Sequence, residues 1–306
     1  MAKLHVSRQK FLKTAAAVAL APLLQQAALA ADAAKQRTRA IPKSGEQLPM
    51  IGLGTASSFS SAEDIDAKTE VIRTLLDGGA TLIDTAPSYG QSEDVTGAAL
   101  AKLGLRSKCF LATKVGAMGK EKGRASFDES FKKLQTDKID LMQVHNLIDT
   151  ATQLSTMREL KAQGRFRYIG ITHFQPSAQE ALAPVMRAED LDFVQLNYSV
   201  DVRGPEKTLL PLAQDKGIAV LVNLALGRGR LLQAVKGKEV PAWAKEIGCS
   251  SFAQMLLKFV ISHPAITCAI PATSKAKNMT DNLGAGLGRL PDAKEREKIA
   301  QFWANA

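Results

Sequence analysis

Ile139-Asp140-Leu141-Met142-Gln143-Val144-His145, a helical stretch over 152–163, Gly164, and Tyr168-Ile169-Gly170-Ile171-Thr172 together read as one strand–helix–strand unit. The two outer runs are mostly continuous in apolar residues, as strands covered on both faces are. The segment between them ends at Gly164, and glycine takes the left-handed position after a helix at little cost. Two buried strands joined by a helix run parallel.

The same alternation extends in both directions. Further strands are predicted at 50–55, 81–85, 109–115, 193–198, 219–225 and 267–271. Helices are predicted at 62–77, 92–103, 126–135, 177–188, 207–216, 251–262 and 277–283. The first of these places Ile65, Val71, Ile72, Leu75 and Leu76 at helical spacing after a Ser60/Ser61 start. Eight strand–helix units in roughly 250 residues imply a (β/α)8 TIM barrel. A doubly wound open sheet would need a Gly-x-Gly-x-x-Gly turn after its first strand. Gly52-Leu53-Gly54-Thr55 supplies two glycines, but Ser57 stands at the third position. An N-terminal β-hairpin over 38–47, centred on Pro42-Lys43-Ser44-Gly45, is expected to close the barrel floor. Two extra helices are expected at 241–247 and 291–304. Residues 31–306 read as a single domain.

Composition agrees with a globular enzyme-sized chain. Of 306 residues, 45% are apolar and 23% charged, which excludes a disordered chain. Three cysteines exclude a disulfide scaffold, and Cys109 and Cys268 lie in apolar runs that suit buried free thiols. The net charge of +10 divides into +4 within residues 1–30 and +6 over the remainder. That spread is no nucleic-acid stripe, though it suits a small anionic ligand. No long heptad or exposed apolar helix calls for assembly, so a monomer is expected.

The first thirty residues read as a signal peptide. Lys3, Arg8, Lys10 and Lys13 precede a charge-free Ala/Leu-rich stretch that ends in Ala28-Leu29-Ala30, a small-x-small cleavage pattern. Ser7-Arg8-Gln9-Lys10-Phe11-Leu12-Lys13 resembles the twin-arginine export motif, with Gln9 in place of its second arginine. The expected partner of the precursor is therefore export machinery, and the expected location is periplasmic or otherwise exported.

In a barrel of this kind, residues at the carboxyl ends of the strands surround the active site. Here those ends carry Thr55, Asp84-Thr85, Lys114, His145, Thr172-His173, Asn197-Tyr198 and Asn223, and Tyr89 follows five residues after Asp84. A lysine and an aspartate inside a barrel mouth need each other, because an unpaired charge in a low-dielectric site is costly. A phenol is a sluggish acid near neutral pH, and a nearby ammonium stabilises its phenolate. A carboxylate behind the ammonium keeps it protonated, and a neutral imidazole can orient a carbonyl oxygen. Such a group would donate a proton to a developing alkoxide.

At these residues the chain resembles the aldo-keto reductases, over about residues 40–290. Leu82-Ile83-Asp84-Thr85-Ala86-Pro87-Ser88-Tyr89-Gly90 with Glu93, Ala112-Thr113-Lys114, and Asp140 to His145 are similar to that family's motifs. The resemblance implies reduction of small aldehydes or ketones by hydride transfer from NADP, with NAD as the other nicotinamide cofactor. It implies Tyr89 as general acid, Lys114 as the group tuning it, Asp84 as partner of Lys114, and His145 as carbonyl orienter.

For the cofactor, the resemblance implies Gly54 and Thr55 on strand one, Asp84, Thr172 and His173 at the carboxamide, and Gln195 as a third carboxamide partner. Asn223 stands where an aromatic residue usually stacks on the nicotinamide. Leu226 and Arg228 are implied near the pyrophosphate. Thr273, Lys275, Asn278, Asp281 and Asn282 are implied around the adenosine end, with Ala272 and Asn278 in place of the usual Lys and Arg. A nine-residue loop over 116–124 with Met118, Phe174 and Trp243 as apolar walls predicts an open pocket. The competing readings are a non-catalytic nicotinamide-nucleotide-binding redox sensor and a phosphate-binding barrel lyase.

Overall fold

The structure is a computed structural model, and it describes residues 35–305. The signal peptide read at 1–30 lies outside the described residues. Two short antiparallel strands, β1 (Thr38–Ala40) and β2 (Gln47–Pro49), form the hairpin, with Thr38 opposite Pro49. Eight parallel strands then form one sheet in chain order. They are β3 (Leu53–Gly54), β4 (Leu82–Asp84), β5 (Phe110–Val115), β6 (Ile139–His145), β7 (Phe166–His173), β8 (Phe193–Asn197), β9 (Ala219–Asn223) and β10 (Ile266–Ala269). The sheet closes on itself through parallel bridges from Ile51 to Ala269 and from Gly54 to Ala272. Backbone hydrogen bonds from Gly52 N to Ala269 O (2.8 Å) and from Ala269 N to Met50 O (2.9 Å) hold that seam.

Helices cover the outside. They are α1 (Ile65–Asp77), α2 (Ser92–Leu103), α3 (Lys120–Lys133), α4 (Thr150–Ala162), α5 (Leu182–Ala188) and α6 (Leu209–Lys216), one after each of β3 to β8. After β9 come α7 (Arg230–Ala234), α8 (Ala242–Glu246) and α9 (Phe252–Ile261). After β10 come α10 (Ala276–Gly284) and α11 (Ala293–Ala304). The extra helices expected at 241–247 and 291–304 are α8 and α11.

Several boundaries differ from the sequence expectation, each for a local reason. The strand expected at 50–55 is cut to β3 because Ile51 makes only an isolated bridge, to Ala269 across the seam. The helix expected from 62 begins at Ile65, after Asp64 turns left-handed at φ 51°. The helix expected over 177–188 is a 3-10 turn at Pro176–Ala181 followed by α5. Pro184 is the third residue of α5, where a missing N–H costs nothing. The five-residue α7 was not expected. It follows Gly229, which is left-handed at φ 84°.

The apolar residues divide into an inner and an outer core. Ile41, Leu48, Leu82, Phe110, Ala112, Leu141, Tyr168, Phe193, Ala219, Leu221, Cys268 and Ile270 fill the barrel interior. Near the floor Phe110 stacks on Tyr168 with ring centroids 5.9 Å apart, and Tyr168 meets Phe193 edge to face at 5.5 Å. Ile41 and Leu48 come from the hairpin, so the hairpin plugs the floor as expected. The outer core packs strand faces against helices. Each fully buried Leu or Phe contributes about 1.5–3 kcal/mol. Cys109, Cys249 and Cys268 are buried free thiols.

Candidate active site

Side chains alternate along a strand, so residues two apart share a face. Leu82 points into the barrel, and so therefore does Asp84. Phe110 and Ala112 carry Lys114 to the same side, and Leu141 carries Gln143 and His145. Phe193 carries Gln195 and Asn197, and Ala219 and Leu221 carry Asn223. The interior is thus apolar at the floor and polar at the carboxyl end.

Lys114 Nζ donates to Asp84 Oδ1 at 2.5 Å and to the Thr85 carbonyl at 2.9 Å. Both charged side chains are almost wholly buried. Burial alone pulls the Lys114 ammonium down, but the charges and hydrogen bonds of Asp84 and Tyr89 outweigh it and hold its pKa above the ordinary lysine value. Lys114 Nζ lies 4.9 Å from the centre of the Tyr89 ring. The rings of Tyr89 and His145 meet edge to face, 5.8 Å apart and 85° between planes. Burial, then the Lys114 charge, then His173 push the His145 pKa down to about 3. His145 is therefore a neutral imidazole at physiological pH, within 3.4 Å of Ser88 Oγ through Nδ1. The four residues picked from the sequence meet at one rim of the barrel.

The loop carrying Tyr89 is pinned. Gly90 has φ 65°, and a Cβ there would lie 2.5 Å from the Ser60 carbonyl. Gln91 N donates to that same carbonyl at 3.0 Å, and Gln91 Oε1 accepts from Ala62 N at 2.7 Å. The segment after His145 is strained, with Asn146, Leu147 and Asp149 at φ 53°, 58° and 49°. Strain of this kind persists where the surroundings over-determine it, often beside a functional group. Asp149 Oδ2 accepts from Gly119 N at 2.7 Å, and Gln153 Nε2 donates to the Ala117 and Gly119 carbonyls at 3.0 Å and 3.2 Å. These bonds tie the loops after β5 and β6 together.

That tie corrects one expectation. The connection after β5 is four residues, 116–119, and not nine, because α3 begins at Lys120. Gly123 belongs to the helix, where a Cβ would lie 2.2 Å from Gln153 Oε1. Met118 on this short loop is 64% exposed. Trp243 lines a surface pocket with Lys298 and Phe302 and not the barrel mouth. It packs edge to face on Phe302 of α11 with the Lys298 ammonium 4.7 Å above its ring. Phe174 lies between the His173 ring (6.1 Å) and the Arg228 guanidinium (5.6 Å).

The remaining sequence candidates fall into four groups. Gly54 and Thr55 lie at the seam: a Cβ on Gly54 would lie 2.7 Å from the Ile270 carbonyl, and Thr55 Oγ1 donates to the Asp84 carbonyl at 3.0 Å. Thr172, Gln195 and Asn223 are joined to Asp84 by side-chain hydrogen bonds at the mouth. Leu226 and Arg228 follow β9, and Arg228 is left-handed at φ 55°. Thr273 is buried and hydrogen-bonds the Lys275 backbone, while Lys275 and Asn278 are exposed at the start of α10. Asp281 is engaged elsewhere, accepting from Ser251 Oγ and Gln254 Nε2, each at 2.8 Å. Asn282 is buried.

One participant had no role assigned from the sequence. Gln143 Nε2 donates to Asp84 Oδ2 at 3.1 Å. Its signal was its position two residues before His145 on the same strand.

Known proteins are similar to this chain in sequence and fold. Residues 50–303 match the Aldo/keto reductase family. The aldo-keto reductase YhdN of Bacillus subtilis is 37% identical over 212 residues, a match that spans 62% of this chain and 62% of that one. The methylglyoxal reductase YeaE of Escherichia coli is 31% identical over 242 residues, covering 77% of this chain and 84% of that one. An aldo/keto reductase from Klebsiella pneumoniae, solved in complex with NADP and acetate, has a TM-score of 0.75 at 28% identity, covering 88% of this chain and 95% of that one. With that match reaching from the first barrel strand into the last helix, the chain belongs to the Aldo/keto reductase family.

Proposed function

We propose that this protein reduces a small aldehyde or ketone to its alcohol, with Tyr89 as proton donor and NADP as its nicotinamide cofactor. The observation that carries this is Lys114, held between Asp84 and the Tyr89 ring, with neutral His145 at the ring edge.

The mouth suits a nicotinamide nucleotide. Asn197 Oδ1 and Asn223 Oδ1 are shielded from solvent there without a hydrogen-bond partner. Buried polar atoms of that kind want one, and the amide and hydroxyl groups of a nucleotide offer it. Thr172, His173 and Asn223 would hold the carboxamide end. Leu226 and Arg228 would flank the pyrophosphate. Thr273, Lys275 and Asn278 would face the 2′-phosphate. When bound, the nicotinamide supplies the hydride. The Tyr89 hydroxyl then gives its proton to the carbonyl oxygen as negative charge develops there. The Lys114 ammonium stabilises the phenolate left behind, and Asp84 keeps that ammonium charged. Neutral His145 donates a hydrogen bond that aims the carbonyl. NADP in the Klebsiella structure supports the cofactor, and the methylglyoxal reductase relative supports small oxoaldehydes as the substrate class.

We also propose that residues 1–30 direct export and are removed after Ala30. Fractionating cells that make the full chain tests this: mature protein in the envelope fraction is expected, and full-length protein confined to the cytoplasm would refute it.

The test of the reaction is Tyr89→Phe with methylglyoxal and NADPH. Binding of NADPH, read by its fluorescence, should persist while turnover falls about 10²–10⁴-fold. Undiminished turnover in the variant would remove Tyr89 from the role.

A further inference from the structure

We propose that Gln195 and Asn223 are positioning residues that hold the Asp84 carboxylate in register with Lys114 through a hydrogen-bond relay of fixed direction. The proposal deepens the reductase reading and rests on it for its activity measurement.

Asp84 uses both oxygens. Oδ1 accepts from Lys114 at 2.5 Å, and Oδ2 accepts from Gln195 Nε2 at 2.8 Å and Gln143 Nε2 at 3.1 Å. An ionised carboxylate only accepts, so Gln195 must turn its NH2 group toward Asp84 and its Oε1 away. Gln195 Nε2 also reaches Gln143 Oε1 at 3.2 Å. Gln195 Oε1 then takes Thr172 Oγ1 at 3.4 Å and Asn223 Nδ2 at 3.2 Å. Every polar atom of the Gln195 amide is thereby committed inside the barrel. Asn223 inherits its orientation by the same logic. Its nitrogen faces inward, which leaves Oδ1 outward and unpartnered at the mouth.

The relay joins β9 to β8 and β8 to β4, with side branches to β6 and β7. Gln195 lies opposite Thr172 and Asn223 opposite Asn197 in the strand register. Asparagine at 223 serves this purpose because it can donate to Gln195, which an aromatic ring could not. With Oδ2 held by two amides, the carboxylate cannot rotate away from the ammonium.

An isosteric acid tests the direction of the relay. In Gln195→Glu, the protonated carboxyl can still donate to Asp84, whereas the ionised one places a second negative charge against it. Two carboxyls sharing a site raise the pKa of one of them. Position 195 meets Asp84 on β4, which faces Lys114 on β5 and Cys268 on β10; Tyr89 and His145 lie beside Lys114, and His173 beside His145.

We expect the turnover of Gln195→Glu, taken as a ratio to wild type, to fall at least about tenfold between pH 5 and pH 8. A second measurement needs neither nucleotide nor substrate. An acid whose pKa is raised in the folded state holds more protons there than in the unfolded chain, so its stability is lost as pH rises through the folded pKa. The melting temperature of Gln195→Glu should therefore drop relative to wild type between those same pH values. Asn223→Asp, at the rim and easier to fold, should show the same trend more weakly. A space-filling role for Gln195 predicts a constant offset at every pH. A flat ratio to wild type in both turnover and melting temperature would overturn the proposal. Absence of reductase activity in wild type would defeat the reaction while leaving the melting comparison to decide the relay.

Discussion

Lys114 and Asp84 form an ion pair at 2.5 Å with both side chains closed off from solvent. Removing one partner of such a pair leaves a buried charge without compensation, at a cost of about 3–5 kcal/mol. Asp84→Asn should lose that much stability in urea titration at neutral pH, together with most turnover. The sign of the pH dependence follows from Lys114, whose folded pKa is raised above the unfolded value near 10.5. Its stabilisation is complete below that unfolded value and is lost as pH rises through the folded one. Wild type should accordingly weaken in strong alkali. Asp84→Asn, with an uncompensated lysine that sheds its proton, should instead gain stability as pH rises. Equal slopes in the two proteins would show that the pair contributes nothing net.

His145 tests the other half of the constellation. Its pKa of about 3 lies well below the ordinary 6.5. Its Cε1 proton resonance should therefore stay constant as pH falls from about 8 to 5, where an ordinary histidine titrates. The folded state binds fewer protons than the unfolded chain in the window between those two values. Stability should thus decline as pH drops below about 6.5. Titration of the resonance with a midpoint near 6.5 would refute a neutral imidazole. His145→Ala should lower turnover about 10²-fold while leaving nucleotide binding in place.

The rim was legible from the sequence because three of its members lie at or beside the ends of apolar runs. A run that stops at Asp84 or His145, or one residue past Lys114, puts a charged or titratable group where strand gives way to loop. The relay was not legible in the same way. The direction of the Gln195 amide depends on Asp84, Thr172 and Asn223, which come from three other strands. Residues 120–125 read as loop because they hold a glycine and no large apolar side chain. They are helical because Asp149 and Gln153, from the next loop and helix, bind the preceding turn. The split of the fifth helix and the shortened first strand likewise come from neighbours that no single window of sequence contains.

Gly54 makes barrel closure testable. Its amide donates to the Pro271 carbonyl at 3.2 Å, and a Cβ would stand 2.7 Å from the Ile270 carbonyl. That obstacle is backbone in the facing strand end, so it cannot swing aside. Gly54→Ala should cost about 1–3 kcal/mol through overpacking, read as a lower denaturation midpoint with an unchanged slope. Stability equal to wild type would mean that the seam can open without penalty.

The proposed contact of Lys275 with the 2′-phosphate makes the choice between the two nicotinamide nucleotides testable. Thr273 is buried, and its Oγ1 accepts from Lys275 N at 3.1 Å, which fixes the backbone from which the lysine extends. The Lys275 side chain is exposed at the entry to α10, and Ala272 and Asn278 bring no charge of their own. A hydrogen bond to a charged group is worth about 1.5–3 kcal/mol, so losing one to a 2′-phosphate weakens binding by about tenfold or more. Lys275→Ala should raise the dissociation constant for NADP by that factor and leave NAD unchanged, because NAD has no phosphate at that position. The NADP affinity of wild type should also fall with added salt more steeply than its NAD affinity. Equal weakening of both nucleotides by Lys275→Ala would place the 2′-phosphate elsewhere and remove the basis for preferring NADP.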